Sequence, residues 1–302
     1  MDAQRTQLPD GRWHFQHGPM DVVLDAQGSA SAVAQAHVQA WQRFCRILQE
    51  LVSELPLLRA PVGAACPLLG PIAQRMWQAC QPYQDTFITP MAAVAGAVAQ
   101  ELIACYAREG ISRAWINNGG DIALHLAPHE SLRIGIFADL ARLDLEQLLG
   151  GLRTDGQFEI SHALPVRGVA TSGWRGRSFS LGIADSVTVL ARTAVQADAA
   201  ATVIANAVNL DDARIVRRAA CELKDDTDLG TLLVTVEVPP LEPQCVLRAL
   251  QNGKRCAQRL QASGLIWSAA LICQNQTLTT DTPSPSSLPR RPARAPVETG
   301  LI

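Results

Sequence analysis

The chain has no uninterrupted apolar stretch approaching the ~18 residues of a membrane-spanning helix, so its sequence predicts no span. Aromatic residues make up only 5%, too sparse for a platform on which bases would stack. The net charge is −2, and no lysine/arginine cluster occurs within the expected folded region. Together these absences exclude an electrostatic nucleic-acid surface. None of the eight cysteines forms a C-x-x-C pair, which argues against zinc or redox use and for buried free thiols in a reducing compartment. The polar segment Met1–Gln16 lacks the basic-then-apolar pattern of a signal sequence, so a soluble, cytoplasmic protein is expected. His125 and His129 are four apart but flank Pro128, and no Ser/His/Asp or Cys/His set has usable spacing.

At 302 residues, 48% apolar and 18% charged, the chain can bury a sizeable core. Trp13–Gln16 and Asp21–Leu24 read as strands around a His-Gly-Pro turn. Ser31 is expected to open a helix with Ala34, Val38, Trp41, Cys45, Leu48, Val52 and Leu55 as its apolar stripe, ended by Pro56. A short helix is expected near Ile72–Cys80, and Thr89-Pro90 reads as the start of another running to Arg108. Strands at Arg113–Ile116, Ile122–Leu126 and Leu132–Phe137 form a meander with glycine-rich turns, followed by a short helix at Leu143–Leu149 and a strand at Gln157–Ser161. Ser180–Leu190 alternates like a half-buried strand and feeds a helix over 196–208. A strand at Thr231–Val238, a helix at 242–262 and a strand at Leu265–Cys273 close the fold. The pattern predicts one α+β domain over residues 1–275, mostly antiparallel. Residues 276–302, rich in Pro, Ser and Thr, read as a disordered tail.

Four segments carry chemistry. In Val195–Thr202, Asp198 and Thr202 stand four apart, which places both on one helical face. A carboxylate and a hydroxyl oxygen suit a hard cation such as Mg²⁺, which keeps waters and borrows phosphate oxygens from a nucleotide. In Asn117–Asp121 the pair Gly119-Gly120 either turns backbone N–H groups toward a ligand or simply makes a hairpin turn. Thr171, Ser172 and Gly173 form a donor loop or a strand-ending turn. The small-residue run Pro90–Val98 exposes backbone groups at a helix start, or lets two helices pack tightly.

In this order the four segments resemble the ApbE-type FAD:protein FMN transferase superfamily, over roughly residues 88–208. The small-residue run (Ala92–Gly96), the N-x-G-G-D turn, the T-S-G segment and a V-T-V strand (Val187–Val189) followed by A-D-x-x-x-T all occur. The wording G-V-A-T-S-G, S-x-G-x-A-D-S-V-T-V and A-D-A-A-A-T is similar to an ApbE-like branch, over most of residues 11–275. The resemblance implies an α+β fold around a nucleotide cleft, with FAD or a related nucleotide and Mg²⁺ near its pyrophosphate. It implies Asp198, Thr202 and a backbone carbonyl at Ala95 as metal ligands, and Gly119, Gly120, Asp121, Thr171, Ser172 and Gly173 as nucleotide-lining residues. The chain departs in one interval: where the transferases carry H-x-x-D-P-x-T-G, Trp174–Ser186 contains neither histidine nor proline. The helix start also lacks the lysine usual there. Two readings stay open: an Mg²⁺-dependent flavin- or nucleotide-handling enzyme working by phosphoryl or nucleotidyl chemistry, and a non-catalytic flavin- or cofactor-binding accessory protein. The expected partner is a small nucleotide or flavin, with no nucleic acid and no membrane, and a homo-oligomer stays open.

Overall fold

Antiparallel pairing dominates the computed structural model, which describes residues 2–136 and 156–281. Thirteen described strands run β1 Gln4–Gln7, β2 Trp13–His17, β3 Met20–Gly28, β4 Ile111–Asn118, β5 Asp121–Leu126, β6 Ser131–Ile136, β7 Gly156–Ser161, β8 Gly168–Ser172, β9 Ser186–Ala191, β10 Val216–Ala219, β11 Leu233–Glu237, β12 Ser268–Cys273 and β13 Gln276–Thr279. Nine form one sheet in the order β1-β2-β3-β4-β5-β8-β9-β12-β13, while β6-β7 and β10-β11 are separate pairs. The longer helices are α1 Ala30–Ser53, α2 Pro71–Cys80, α3 Val94–Ile103, α4 Ala194–Ala207 and α5 Pro243–Ala262. The class is α+β, as expected.

The sheet buries both faces at its centre. In β9 the residues Val187, Val189 and Ala191 join the main core with α3 and α4, whereas Leu190 joins a second cluster with Leu124, Ile160 and Trp267. Side chains two apart share a face, so Asn118 in β4 and Asp121 in β5 point with Ile116 and Ala123 toward the helices. That periodicity puts two polar groups on the helix side at the end of a hairpin.

Several expectations are corrected. The cap of α1 is Ser29, whose Oγ accepts the Ala32 N–H at 3.4 Å, and not Ser31. The buried stripe of α1 is Ala36, Ala40, Phe44, Ile47 and Leu51; Val38 and Val52 from the expected stripe are 50% and 48% exposed. Both stripes have helical spacing, and the sheet chose between them: Phe15 of β2 packs on Phe44 with ring centroids 5.4 Å apart. Ser180–Leu190 is strand only from Ser186, because residues 181–183 are tied to the end of α4 through Leu181 N to Asn206 Oδ1 and Ile183 N to Val208 O. Of the cysteines, all free, Cys80, Cys256 and Cys273 are buried but Cys66 and Cys221 are exposed. Strand β13 pairs with β12 from Gln276 to Thr279, so sheet pairing continues past the expected boundary at residue 275. The helix expected at Leu143–Leu149 lies outside the described residues. Among the described residues no helix is long and apolar enough to cross a membrane.

Candidate functional site

The Thr89-Pro90 segment does not open an α-helix directly. Pro90–Ala93 is a single 3-10 turn, and α3 begins at Val94. Thr89 makes no cap bond; its hydroxyl donates to Asp228 instead. Small side chains in α3 then let it lie hard against α4. A Cβ on Gly96 would stand 2.4 Å from the Ala194 carbonyl oxygen and 2.9 Å from the Asp198 Cβ, so no larger residue fits without parting the helices.

Three hydrogen bonds bring the four sequence motifs to one place. The Gly96 N–H of α3 donates to Asp198 Oδ2 of α4 at 2.8 Å. Asn118 Nδ2 of β4 donates to the Ala95 carbonyl at 3.2 Å. The Thr171 N–H of β8 donates to Asp121 Oδ1 at 3.3 Å. The last bond sits where β5 and β8 part company, since only Ile122↔Val169 and Ala123↔Gly168 are paired between them. Asp121 thus satisfies a backbone donor that the sheet ladder leaves over.

The electrostatics follow from that convergence. Asp121 is 7% exposed. Burial pushes its carboxyl well up from the ordinary aspartate value, the charge of Asp198 pushes it further, and the Thr171 N–H and Arg177 act the other way. Burial also raises Asp198, against the pull of the Gly96 and Ala95 N–H groups. Two carboxylates from segments 77 positions apart in sequence therefore oppose each other's ionisation. Either protons or a cation must offset that charge.

The donor set fits a hard divalent cation. Asp198 has its Oδ1 to offer, Ala95 a carbonyl with a second lone pair, and Thr202 a hydroxyl one helical turn further along the same face. Among the described residues no group of three or more His, Cys, Asp or Glu is placed to hold a metal, so such an ion would rest on two carboxylates and neutral oxygens. The remaining motif residues divide. Gly119 and Gly120, at φ +65° and +112°, make a two-residue hairpin between the paired Asn118 and Asp121. The Gly120 N–H donates to Asn117 Oδ1 at 2.8 Å, so the turn reading holds and that N–H is already engaged. The Thr171 hydroxyl pairs with Thr188 Oγ1 at 3.0 Å, on the sheet face away from the helices; what Thr171 brings to the site is its backbone. Ser172 is half-buried on the helix side. Gly173 is packed on the Asp185 carbonyl, 2.3 Å from where its Cβ would stand.

Across Trp174–Ser186, Asp185 and Ser180 are both engaged in hydrogen bonds. Asp185 accepts from Trp174 Nε1 at 3.2 Å and from the Gln274 N–H at 2.6 Å. Ser180 donates to Asn206 Oδ1 and accepts the Gly182 N–H, both at 3.1 Å. Two residues went unread in the sequence: Asn118, whose amide ties β4 to α3, and Arg177, whose guanidinium lies over Gly119. Asn118 stands inside the N-x-G-G-D turn and on the buried face of β4, a signal read there only as a turn, whereas Arg177 lies in a loop with no periodic pattern to single it out. A shallow depression of about 380 Å³ lined by Asn209, Leu210, Asp211 and Arg217 lies past the other end of α4, roughly 15 Å along the axis from Asp198.

Comparison with known proteins places the chain in a family. A UPF0280 protein of Methanothrix thermoacetophila is 32% identical over 205 residues, covering 64% of this chain and 79% of its own length. One from Methanospirillum hungatei is 36% identical over 126 residues, 41% of this chain, and the match spans about half of that relative's length, 47%. The flavinyl transferase ApbE of Pseudomonas stutzeri, apo form, aligns over 93% of this chain and 94% of its own, at 12% identity and a TM-score of 0.45. The ApbE protein of Thermotoga maritima aligns over 93% and 96%, at 12% identity and a TM-score of 0.41. A family model described as AbpE bacteria matches residues 5–279, and the chain therefore belongs to that ApbE-like family.

Proposed function

We propose that the chain binds the diphosphate of a flavin or related nucleotide beside Asp198, together with Mg²⁺, and performs phosphoryl or nucleotidyl chemistry there. The observation that carries this reading is the convergence of Asp121 and Asp198, joined through Gly96, Ala95, Asn118 and Thr171, at one half-buried point. Asp198, Thr202 and the Ala95 carbonyl would hold the cation, and Asp121 adds negative charge beside them. When bound, Mg²⁺ would supply charge neutralisation at bridging phosphate oxygens, which can support phosphoryl transfer without a histidine. The chain's own residues orient and position: Asn118 holds the Ala95 carbonyl, and Gly96 fixes the Asp198 rotamer through its N–H.

One observation favours the second reading, a binding or accessory protein without turnover. Both polar side chains of Trp174–Ser186 nearest in kind to an acid–base group, Asp185 and Ser180, are committed to structural hydrogen bonds. Acid–base help of that sort supplies about 10²–10⁴-fold in rate, so its absence slows transfer to a protein hydroxyl most. Incubating the purified chain with FAD and Mg²⁺ and quantifying FMN and AMP separates the two. Product above a blank, lost in Asp198→Asn, supports the enzyme; FAD binding without product supports the accessory protein. No FAD binding at millimolar concentration overturns both.

A further inference from the structure

The Arg177 guanidinium stands over the double-glycine turn. The guanidinium of Arg177 approaches the place where a Cβ on Gly119 would stand, with Nη2 at 3.2 Å, Cζ at 3.3 Å and Nη1 at 3.5 Å. It therefore lies over the glycine, close enough that a Cβ there would press on it and shift it by a few tenths of an ångström. Arg177 is exposed, and among the described residues it makes no hydrogen bond or ion pair. Its loop is held by its neighbours: Arg175 stacks on Trp174 at 4.8 Å, and Trp174 is anchored on Asp185. The charge of Arg177 reaches Asp121 across the turn. A planar fork of N–H donors is thus held next to the carboxylate pair with its hydrogen-bonding edge uncommitted.

We infer that Arg177 is an anion-binding residue that recognises the phosphate groups of the nucleotide. This deepens the function proposed above and rests on it for the identity of the nucleotide. A guanidinium matches two phosphate oxygens at once, which an ammonium cannot do. The placement also gives Gly119 a role besides its turn: it is the seat on which the guanidinium lies. The alternative is that Arg177 serves only as counter-ion to Asp121.

Titration of the full chain with inorganic pyrophosphate, FAD and riboflavin, each with Mg²⁺, tests this against Arg177→Gln and Arg177→Lys. Loss of one charge-assisted contact to phosphate predicts about 10- to 100-fold weaker binding of pyrophosphate and FAD by Arg177→Gln. Riboflavin, which has no phosphate, should bind as before, and Arg177→Lys should recover affinity only in part. Unchanged pyrophosphate and FAD affinity in Arg177→Gln overturns the inference and leaves the proposed function standing. So does wild-type protein that binds FAD and riboflavin equally and pyrophosphate not at all. An equal loss for all three ligands with a lowered melting temperature assigns Arg177 to Asp121 and also overturns it. If the wild type binds none of the three, the inference and the proposed function fall together.

Discussion

Replacing Asp198 by Asn should stabilise the cation-free chain at pH 8 and abolish its response to Mg²⁺. Asn keeps the shape and still accepts the Gly96 N–H, now held at 2.8 Å by Oδ2, but carries no charge. Burial raises the Asp198 carboxyl from 3.8 to about 7. A group raised on folding is costless below its unfolded value and loses stability as pH rises toward the folded one. The cost is therefore absent near pH 4, builds between about 4 and 7, and is complete at pH 8. At about 1.4 kcal/mol per pH unit the ceiling is ~4 kcal/mol; because Asp198 is half-buried and its partner Asp121 shares the proton, we expect on the order of 2 kcal/mol. For a chain of this size, with an unfolding entropy of about 2 cal/mol/K per residue, that is a rise of roughly 3 °C in melting temperature. Added at 100 times its Kd, Mg²⁺ should stabilise the wild type by about 2.7 kcal/mol and the variant hardly at all. Melting curves at pH 4 and 8, with chelator and with Mg²⁺, make the measurement. The reasoning is refuted if Asp198→Asn melts at or below the wild type in chelator at pH 8, or if Mg²⁺ raises both equally.

Other outcomes follow from the same geometry. Gly96→Ala should cost about 1–3 kcal/mol by urea unfolding, since its methyl meets the Ala194 carbonyl; an unchanged midpoint means α3 and α4 are not in tight contact. Gly119→Ala should cost about 1–2 kcal/mol from its left-handed backbone at φ +65°, and weaken pyrophosphate binding by displacing Arg177. Glu101 has the opposite pH behaviour to Asp198. Burial raises its carboxyl, but hydrogen bonds from Arg43 and Arg75 outweigh that and hold it below the ordinary glutamate value. Its contribution is present at neutral pH and lost as pH falls through its lowered folded value; Glu101→Gln should therefore narrow the gap in stability between pH 7 and pH 3, and an unchanged gap rejects the assignment.

Short-range chemistry was legible in the chain itself. The Asn-Gly-Gly-Asp turn and the two strands it joins, β4 and β5, are set by residues within a few positions of each other, and they appear where expected. The spacing of Asp198 and Thr202 on one helical face is likewise a local fact. What periodicity leaves open is phase and partner. Two stripes of α1 have equal spacing, and only packing of Phe15 on Phe44 chose the buried one. The alternation from Ser180 to Leu190 was cut at Ser186 because Asn206 and Val208, at the end of another element, claim the backbone of its first half.

The site divides the same way. The sequence alone determined which residues had oxygen atoms and glycines to offer, because residue type and near-neighbour spacing fix that chemistry. Only the tertiary structure decided that Gly96 donates to Asp198 across 102 positions, that the Thr171 hydroxyl turns away to Thr188, and that Arg177 lies on Gly119. Those contacts depend on which strands pair and how closely two helices can approach, and no window of neighbouring residues carries that information.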